Sequence, residues 1–164
     1  MKQFINRVDH IVYISKLENI DANIASLEAI TDANLERCER PDMGALICVD
    51  WSAGLEVVAP LGPLSDINAN LYKRLETHGE GLIAVVYGVE DLEAHMVKLQ
   101  AKGFEIGPLM ETDPVEPWYN RIVLRERFAP PVMGSWMVLS QIDYRDDLVR
   151  FVDVKTKQTE AAAG

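Results

Sequence analysis

The chain has 164 residues, 48% of them hydrophobic, and a formal net charge of −10. That length and apolar content suit one globular domain with a substantial core. The acidic balance argues against nucleic acid or an anionic membrane surface as partner, because both are held by clustered Lys and Arg. No run of residues is long and uncharged enough to cross a bilayer, and residues 1–7 lack the apolar stretch of a secretory leader, so a cytoplasmic location is expected. Cys38 and Cys48 do not form a CxxC pair and are expected to be ordinary buried thiols.

In chain order, the pattern predicts a strand over Arg7–Ser15 and a helix over Ile20–Ile30, then strands near Leu35–Glu39, Ala45–Asp50 and Leu55–Ala59. Pro60-Leu61-Gly62-Pro63 breaks the last strand. Ile67, Leu71 and Leu75, four apart, predict a connecting helix over Ser65–Thr77. A second series follows: a strand over Leu82–Gly88, a helix over Val89–Lys102 stopped by Gly103, and strands near Phe104–Ile106, Arg121–Phe128 and Trp136–Ser140. The acidic, proline-bearing stretch Glu111–Pro117 reads as an ordered loop or lid. Beyond it, residues 143–154 keep enough apolar side chains to dock as an extra strand or helix, and residues 155–164 are expected to fray.

The two series are copies of one βαβββ unit. Val8-Asp9-His10-Ile11-Val12-Tyr13 and Leu82-Ile83-Ala84-Val85-Val86-Tyr87 align at an offset of 74 positions (13 to 87), which sets His10 against Ala84. The expected architecture is α+β: two tandem βαβββ modules, about 7–60 and 79–142, forming a curved mixed sheet around a cleft. A linker at about 61–78 and an extension at 143–164 complete a single domain spanning 1–164.

These residues resemble the vicinal oxygen chelate superfamily, which includes glyoxalase I, methylmalonyl-CoA epimerase, extradiol dioxygenases and bleomycin resistance proteins. The resemblance runs from Arg7 to Ile142. It rests on V-D-H-I at His10, G-L-E-V-V-A-P-L-G at Glu56, the stretch from Gly81 to Leu92, and F-A-P-P-V-M-G-S-W-M-V-L-S-Q ending at Gln141; the epimerase branch is the nearest in look. It implies a divalent metal held by four side chains in the cleft. Two of those positions match His10 and Glu56, and the other two fall on Ala84 and Val138, which cannot bind a metal. The expectation is therefore no metal or other cofactor, with His10 and Glu56 the ligands if there is one.

Strand alternation puts His10 on one face with Val8 and Val12, and Tyr13 on the other. By the resemblance the first face looks into the cleft, so Tyr13 and Tyr87 are expected in the core. The resemblance also makes His10 and Glu56 neighbours, and a carboxylate beside an imidazole raises its pKa and fixes its tautomer. Two readings stand side by side: an acid/base pair facing an organic substrate, or a buried hydrogen-bonded pair tying two strands together. His78 reads as an exposed helix-end residue, and His95 as an edge residue of a helix.

In the seventh strand Ile122, Leu124 and Phe128 alternate with Arg121, Val123, Arg125 and Arg127. Assigning the apolar set to the helices turns the arginines to the cleft, where Arg121 or Arg125 would receive an anionic group; surface salt bridges are the alternative. Trp118, Tyr119 and Trp136 are candidate stacking residues. With Ala84 and Val138 on one wall, the cleft is expected to take an apolar or aromatic molecule with an anionic end. The leading expectation is a metal-independent isomerase, epimerase or lyase, a homodimer, with His10 and Glu56 catalytic. The alternatives are a non-catalytic protein that sequesters a small molecule, and a metal-dependent lyase or dioxygenase.

Overall fold

The computed structural model describes residues 1–145 and 147–150. Eight strands form one sheet: β1 (Arg7–Ile14), β2 (Glu36–Arg40), β3 (Ala45–Asp50), β4 (Leu55–Pro60), β5 (Gly81–Gly88), β6 (Met110–Glu111), β7 (Ile122–Val132) and β8 (Ser135–Tyr144). Three helices join them: α1 (Ile20–Thr31), α2 (Ala69–His78) and α3 (Leu92–Ala101). The spatial order is β2-β3-β4-β1-β5-β8-β7-β6, an α+β curled half-barrel.

Each half is an antiparallel meander closed by a parallel pair, β1 with β4 and β5 with β8, and β1 lies antiparallel to β5 at the junction. The registers repeat the 74-residue offset. Val12 pairs with Glu56 and Val86 with Val138, while across the junction Val12 pairs with Ala84 and His10 with Val86. Glu56 and Val138 therefore occupy equivalent places, as do His10 and Ala84.

Two apolar layers follow from strand alternation. On the convex face, Ile20 and Ile24 of α1 pack with Leu46, Cys48, Val57 and Ala59 beside Tyr13, and Leu92 and Met96 of α3 pack with Leu139 beside Tyr87. Tyr13 and Tyr87 thus sit under the helices. On the concave face, Val12, Ile14, Ala84, Val86 and Val138 meet Leu71 and Leu75 of α2. Both cysteines are buried and free. Among the described residues no helix is long and apolar enough to cross a membrane.

Three expected boundaries differ. The expected strand at Phe104–Ile106 is irregular; the Gly107 amide bonds the Phe128 carbonyl, Pro108 has no amide to donate, and the paired strand on that edge is Met110–Glu111, with Met110 opposite Glu126. The connecting helix starts at Ala69 rather than Ser65. The buried Asn68 side chain accepts from the Ser65 amide and donates to the Leu61 and Pro63 carbonyls, holding the preceding residues in a turn and leaving Ile67 exposed. Strand β8 runs on to Tyr144, where the chain pairs with Lys2, and Leu148 and Val149 pack beside Trp51, Trp118 and Tyr144. The rest of the expected docking segment, and the frayed end, lie outside the described residues.

Gly88 gives this arrangement a direct check. A Cβ there would stand 1.7 Å from the Phe4 carbonyl oxygen, so the N-terminal strap lies against bare backbone. Gly88→Ala is expected to displace the strap and cost roughly 2–4 kcal/mol in a denaturant titration; an unchanged midpoint would refute the close approach.

Candidate functional site

The concave face encloses a cleft of about 620 Å³. Its floor is apolar, with Val12 and Val58 from the first module and Ile83, Ala84, Val86 and Val138 from the second. Ile83 joins this wall because a bulge in β5 sets it as an extra residue between the Val12–Ala84 and Tyr13–Leu82 pairs. Leu71 of α2 contributes at one side, and Trp51, Trp118, Phe128 and Trp136 supply four aromatic rings.

His10 is the centre of the polar wall. It is buried, with Nδ1 2.9 Å from Asp9 Oδ1 and Nε2 3.3 Å from Glu56 Oε2. Carboxylate acceptors on both ring nitrogens call for a proton on each, which is the imidazolium form. Burial pulls the His10 pKa down, but the hydrogen bonds to Asp9 and Glu56 and the nearby Glu126 outweigh it and raise it to about 10. The ring also meets the edge of Trp51, with centroids 5.2 Å apart.

Asp9 was not legible as a partner. Alternation assigns it to the helix face, but a second bulge makes it the extra residue between the Val8–Tyr87 and His10–Val86 pairs, and its side chain swings to His10. The Tyr144 hydroxyl donates to the same Asp9 oxygen, and burial among carboxylates pushes that phenol well above its ordinary range.

The face assigned to β7 is the reverse of the one expected. Leu124, Glu126 and Phe128 line the cleft, while Arg125 and Arg127 reach Glu93 of α3 on the outside. Arg121 pairs with Glu36, and Tyr119 lies with it at a separate surface hollow. The apolar–charged alternation was read correctly in period and wrongly in sense, because the curled sheet turns Leu124 and Phe128 toward the cleft rather than toward a helix.

The reversal uncovers Glu126. It lines the cleft and is nine-tenths buried; no side-chain hydrogen bond or ion pair holds it among the described residues, and Oε1 is buried without a partner. Burial pushes its carboxyl up to about 8, with the His10 charge opposing and Glu56 and Asp9 adding to the rise. A lone Glu between two arginines reads in sequence as a surface salt-bridge partner. Only its sheet face shows otherwise.

Arg40 of β2 closes the other side. Its guanidinium bonds Asp42 and Glu116 and lies 3.6 Å from Asp113, so the stretch Glu111–Pro117 is an ordered loop pinned to the first module. Glu116 also accepts from the Trp118 indole at 2.9 Å, seating that ring in the core against Trp51. Trp136 and Phe128 stand edge to face at 5.6 Å and are partly exposed. His78 lies exposed at the end of α2, bonded to Thr77, and His95 is half-buried on α3.

The metal implied by the resemblance finds little to hold it. Both ring nitrogens of His10 are engaged, Ala84 and Val138 stand at the equivalent places, and no group of three or more His, Cys, Asp or Glu among the described residues is placed to hold an ion.

The fold and cleft define a paired βαβββ protein. No protein-family model and no curated protein sequence matches the chain. Solved structures do. A methylmalonyl-CoA epimerase from Mycobacterium tuberculosis is 20% identical, with a TM-score of 0.62 over 85% of this chain and 90% of that one. A variant of the Streptomyces coelicolor methylmalonyl-CoA epimerase, in complex with 2-nitronate-propionyl-CoA, is 19% identical, with a TM-score of 0.61 over 83% and 96%. A hypothetical protein from Bacillus halodurans is 17% identical, with a TM-score of 0.63 over 85% and 96%. At these identities the likeness is one of fold.

The cleft charges set a pH signature. Glu126 and His10 both bind their protons more tightly folded than unfolded. The Glu126 contribution is complete below its ordinary 4.5 and lost as pH rises through about 8; that of His10 is complete below 6.5 and lost through about 10. Stability is expected to fall by a few kcal/mol from about pH 5 to about pH 10, and Glu126→Gln to flatten the lower part of that fall. Thermal melts across this range check it, and a stability that rises with pH would refute the assignment.

Proposed function

We propose that this cleft transfers a proton at a carbon centre of a small molecule, without a metal, in the manner of an epimerase or isomerase. The observation that carries the reading is Glu126, a buried carboxyl without a partner whose pKa is raised to about 8, so that both protonation states are within reach near neutral pH. Glu56 faces the same space from β4, which is separated from β7 in the curled sheet by β1, β5 and β8. Two carboxyls on different walls suit removal of a proton from one face of a planar intermediate and its return at the other.

The roles differ from those expected from sequence. Glu126 takes the proton-transfer role first given to His10. The C–H bond breaks, its electron pair moves into the adjoining carbonyl to form an enolate, and the proton passes to the Glu126 carboxylate. Return of a proton from water at the opposite face, on the side of Glu56, completes an epimerisation, and the hydroxide left behind takes up the proton held by Glu126, which resets the site. His10, held at both nitrogens, acts through its fixed positive charge, which favours the developing anion. The anionic end expected of the substrate loses its basis, because Arg121 and Arg125 lie outside the cleft. The apolar floor and the rings suit an apolar or aromatic body. Support for the reaction class comes from the epimerases that share the fold, one of them bound to a CoA-linked nitronate.

Deuterium exchange tests this. In D₂O the protein is expected to wash the α-proton out of at least one member of a panel of enolisable ketones and acyl thioesters, followed by NMR. Glu126→Gln should slow exchange by roughly 100-fold or more while the compound still binds. Binding without exchange across the panel would replace catalysis by sequestration. Exchange that vanishes on chelation and returns with a divalent ion would overturn metal independence. Arg121→Ala and Arg125→Ala are expected to alter affinity by less than about twofold, since neither side chain reaches the cleft.

A further inference from the structure

The charges lining the cleft are one-sided. Its two cations are already matched: His10 by Asp9 and Glu56, Arg40 by Asp42, Glu116 and Asp113. An entering carboxylate or phosphate would therefore meet no cation that is not already committed among the described residues lining the cleft, and would lose its hydration for nothing in return. Of the acids that line it, Glu116 is paired with Arg40 and Glu111 with Arg125, but Glu126 and Glu56 are not matched in the same way. Among the described residues the Glu126 side chain has no hydrogen bond or ion pair, with Oε1 buried and unpartnered, and Glu56 engages His10 through one oxygen only.

The aromatic rings point in the same direction. Trp51 and Trp118 lie deep, while Phe128 and Trp136 stand edge to face at the partly exposed end. The face of an aromatic ring attracts a cation, most strongly for an indole. A net charge of −10 over the whole chain steers cations toward the protein as well.

We infer that the cleft takes an organic cation: an apolar or aromatic body carrying a protonated amine or quaternary ammonium, with the charge seated against Glu126 and Glu56 and flanked by the aromatic rings. This rests on reading the cleft as the working site and is independent of the proton-transfer step. It would also suit that step, since a positive charge within the substrate lowers the cost of forming an enolate beside it.

The test is a calorimetric comparison on the full chain using three compounds of one shape: 3-phenylpropyl-trimethylammonium, 3-phenylpropanol and 3-phenylpropionate. The ammonium is expected to bind at least roughly tenfold more tightly than the carboxylate. That preference should persist at about 0.5 M salt, because a buried pair is screened far less than a surface field. Glu126→Gln and Glu56→Gln should each reduce the preference, and Trp136→Ala, at a partly exposed ring, should weaken the ammonium alone. Equal or tighter binding of the carboxylate overturns the inference. So does a preference that disappears in salt, or one that survives the double Glu→Gln change intact. Deuterium exchange separates the two readings: tight ammonium binding with no exchange on any enolisable amine or thioester removes proton transfer and leaves cation recognition. Exchange on anionic thioesters without an ammonium preference does the opposite.

Discussion

The pairing of β1 with β5 is the constraint on which the rest of the structure depends. It joins the two modules through one antiparallel ladder, and β1 is held on its other side by the parallel partner β4. Every side chain on the concave face of β1 is thereby fixed against both modules. The two bulges in this ladder do more than bend the sheet, since one brings Asp9 to His10 and the other turns Ile83 into the cleft wall. A regular ladder would leave the imidazole with one carboxylate rather than two.

Burying that much charge has a cost that geometry must offset. An isolated imidazolium in the interior is strongly unfavourable, and it becomes tolerable only because Asp9 and Glu56 accept from both nitrogens while Tyr144 donates to Asp9. Removing one partner of such a group typically costs about 3–5 kcal/mol, because the remaining charge is left uncompensated. Burial raises the pKa of Glu126, with Glu56 and Asp9 adding to the rise and the His10 charge opposing it, and no partner holds its carboxyl among the described residues. A satisfied charge and an unsatisfied acid therefore sit in one cleft, and the second owes its raised pKa to burial rather than to the first. Arg40 plays a comparable structural part at the rim, where its carboxylates hold the acidic loop and, through Glu116, the indole of Trp118.

Much of the scaffold is local and was readable from residue order. The period-two strands, the helix after each first strand and the 74-residue repeat predicted two βαβββ units, and the strand registers reproduce that offset at His10 and Ala84, with Glu56 and Val138, 82 positions apart, at equivalent places in the ladders. The site was less readable. Alternation correctly grouped Leu124 with Phe128 and Arg125 with Arg127 but carried no information about which group faces outward. Glu126, between two arginines, read as a surface salt-bridge partner for the same reason, and Asp9 was hidden because a bulge breaks the alternation used to place it. The edge strand is confined to Met110–Glu111, since Pro108 interrupts the pairing that the Gly107 amide makes with Phe128.

The sequence by itself determined the repeat and the α+β class, which follow from short-range spacing, and its resemblance to a known superfamily supplied the candidacy of His10 and Glu56. Only the tertiary structure decided the rest. The curl of the sheet chose the inward face of β7, the bulges chose the partners of His10, and strand order brought Glu126 within the electrostatic reach of residues 70 and more positions away. These are consequences of how distant segments pack, and no local pattern along the chain encodes them.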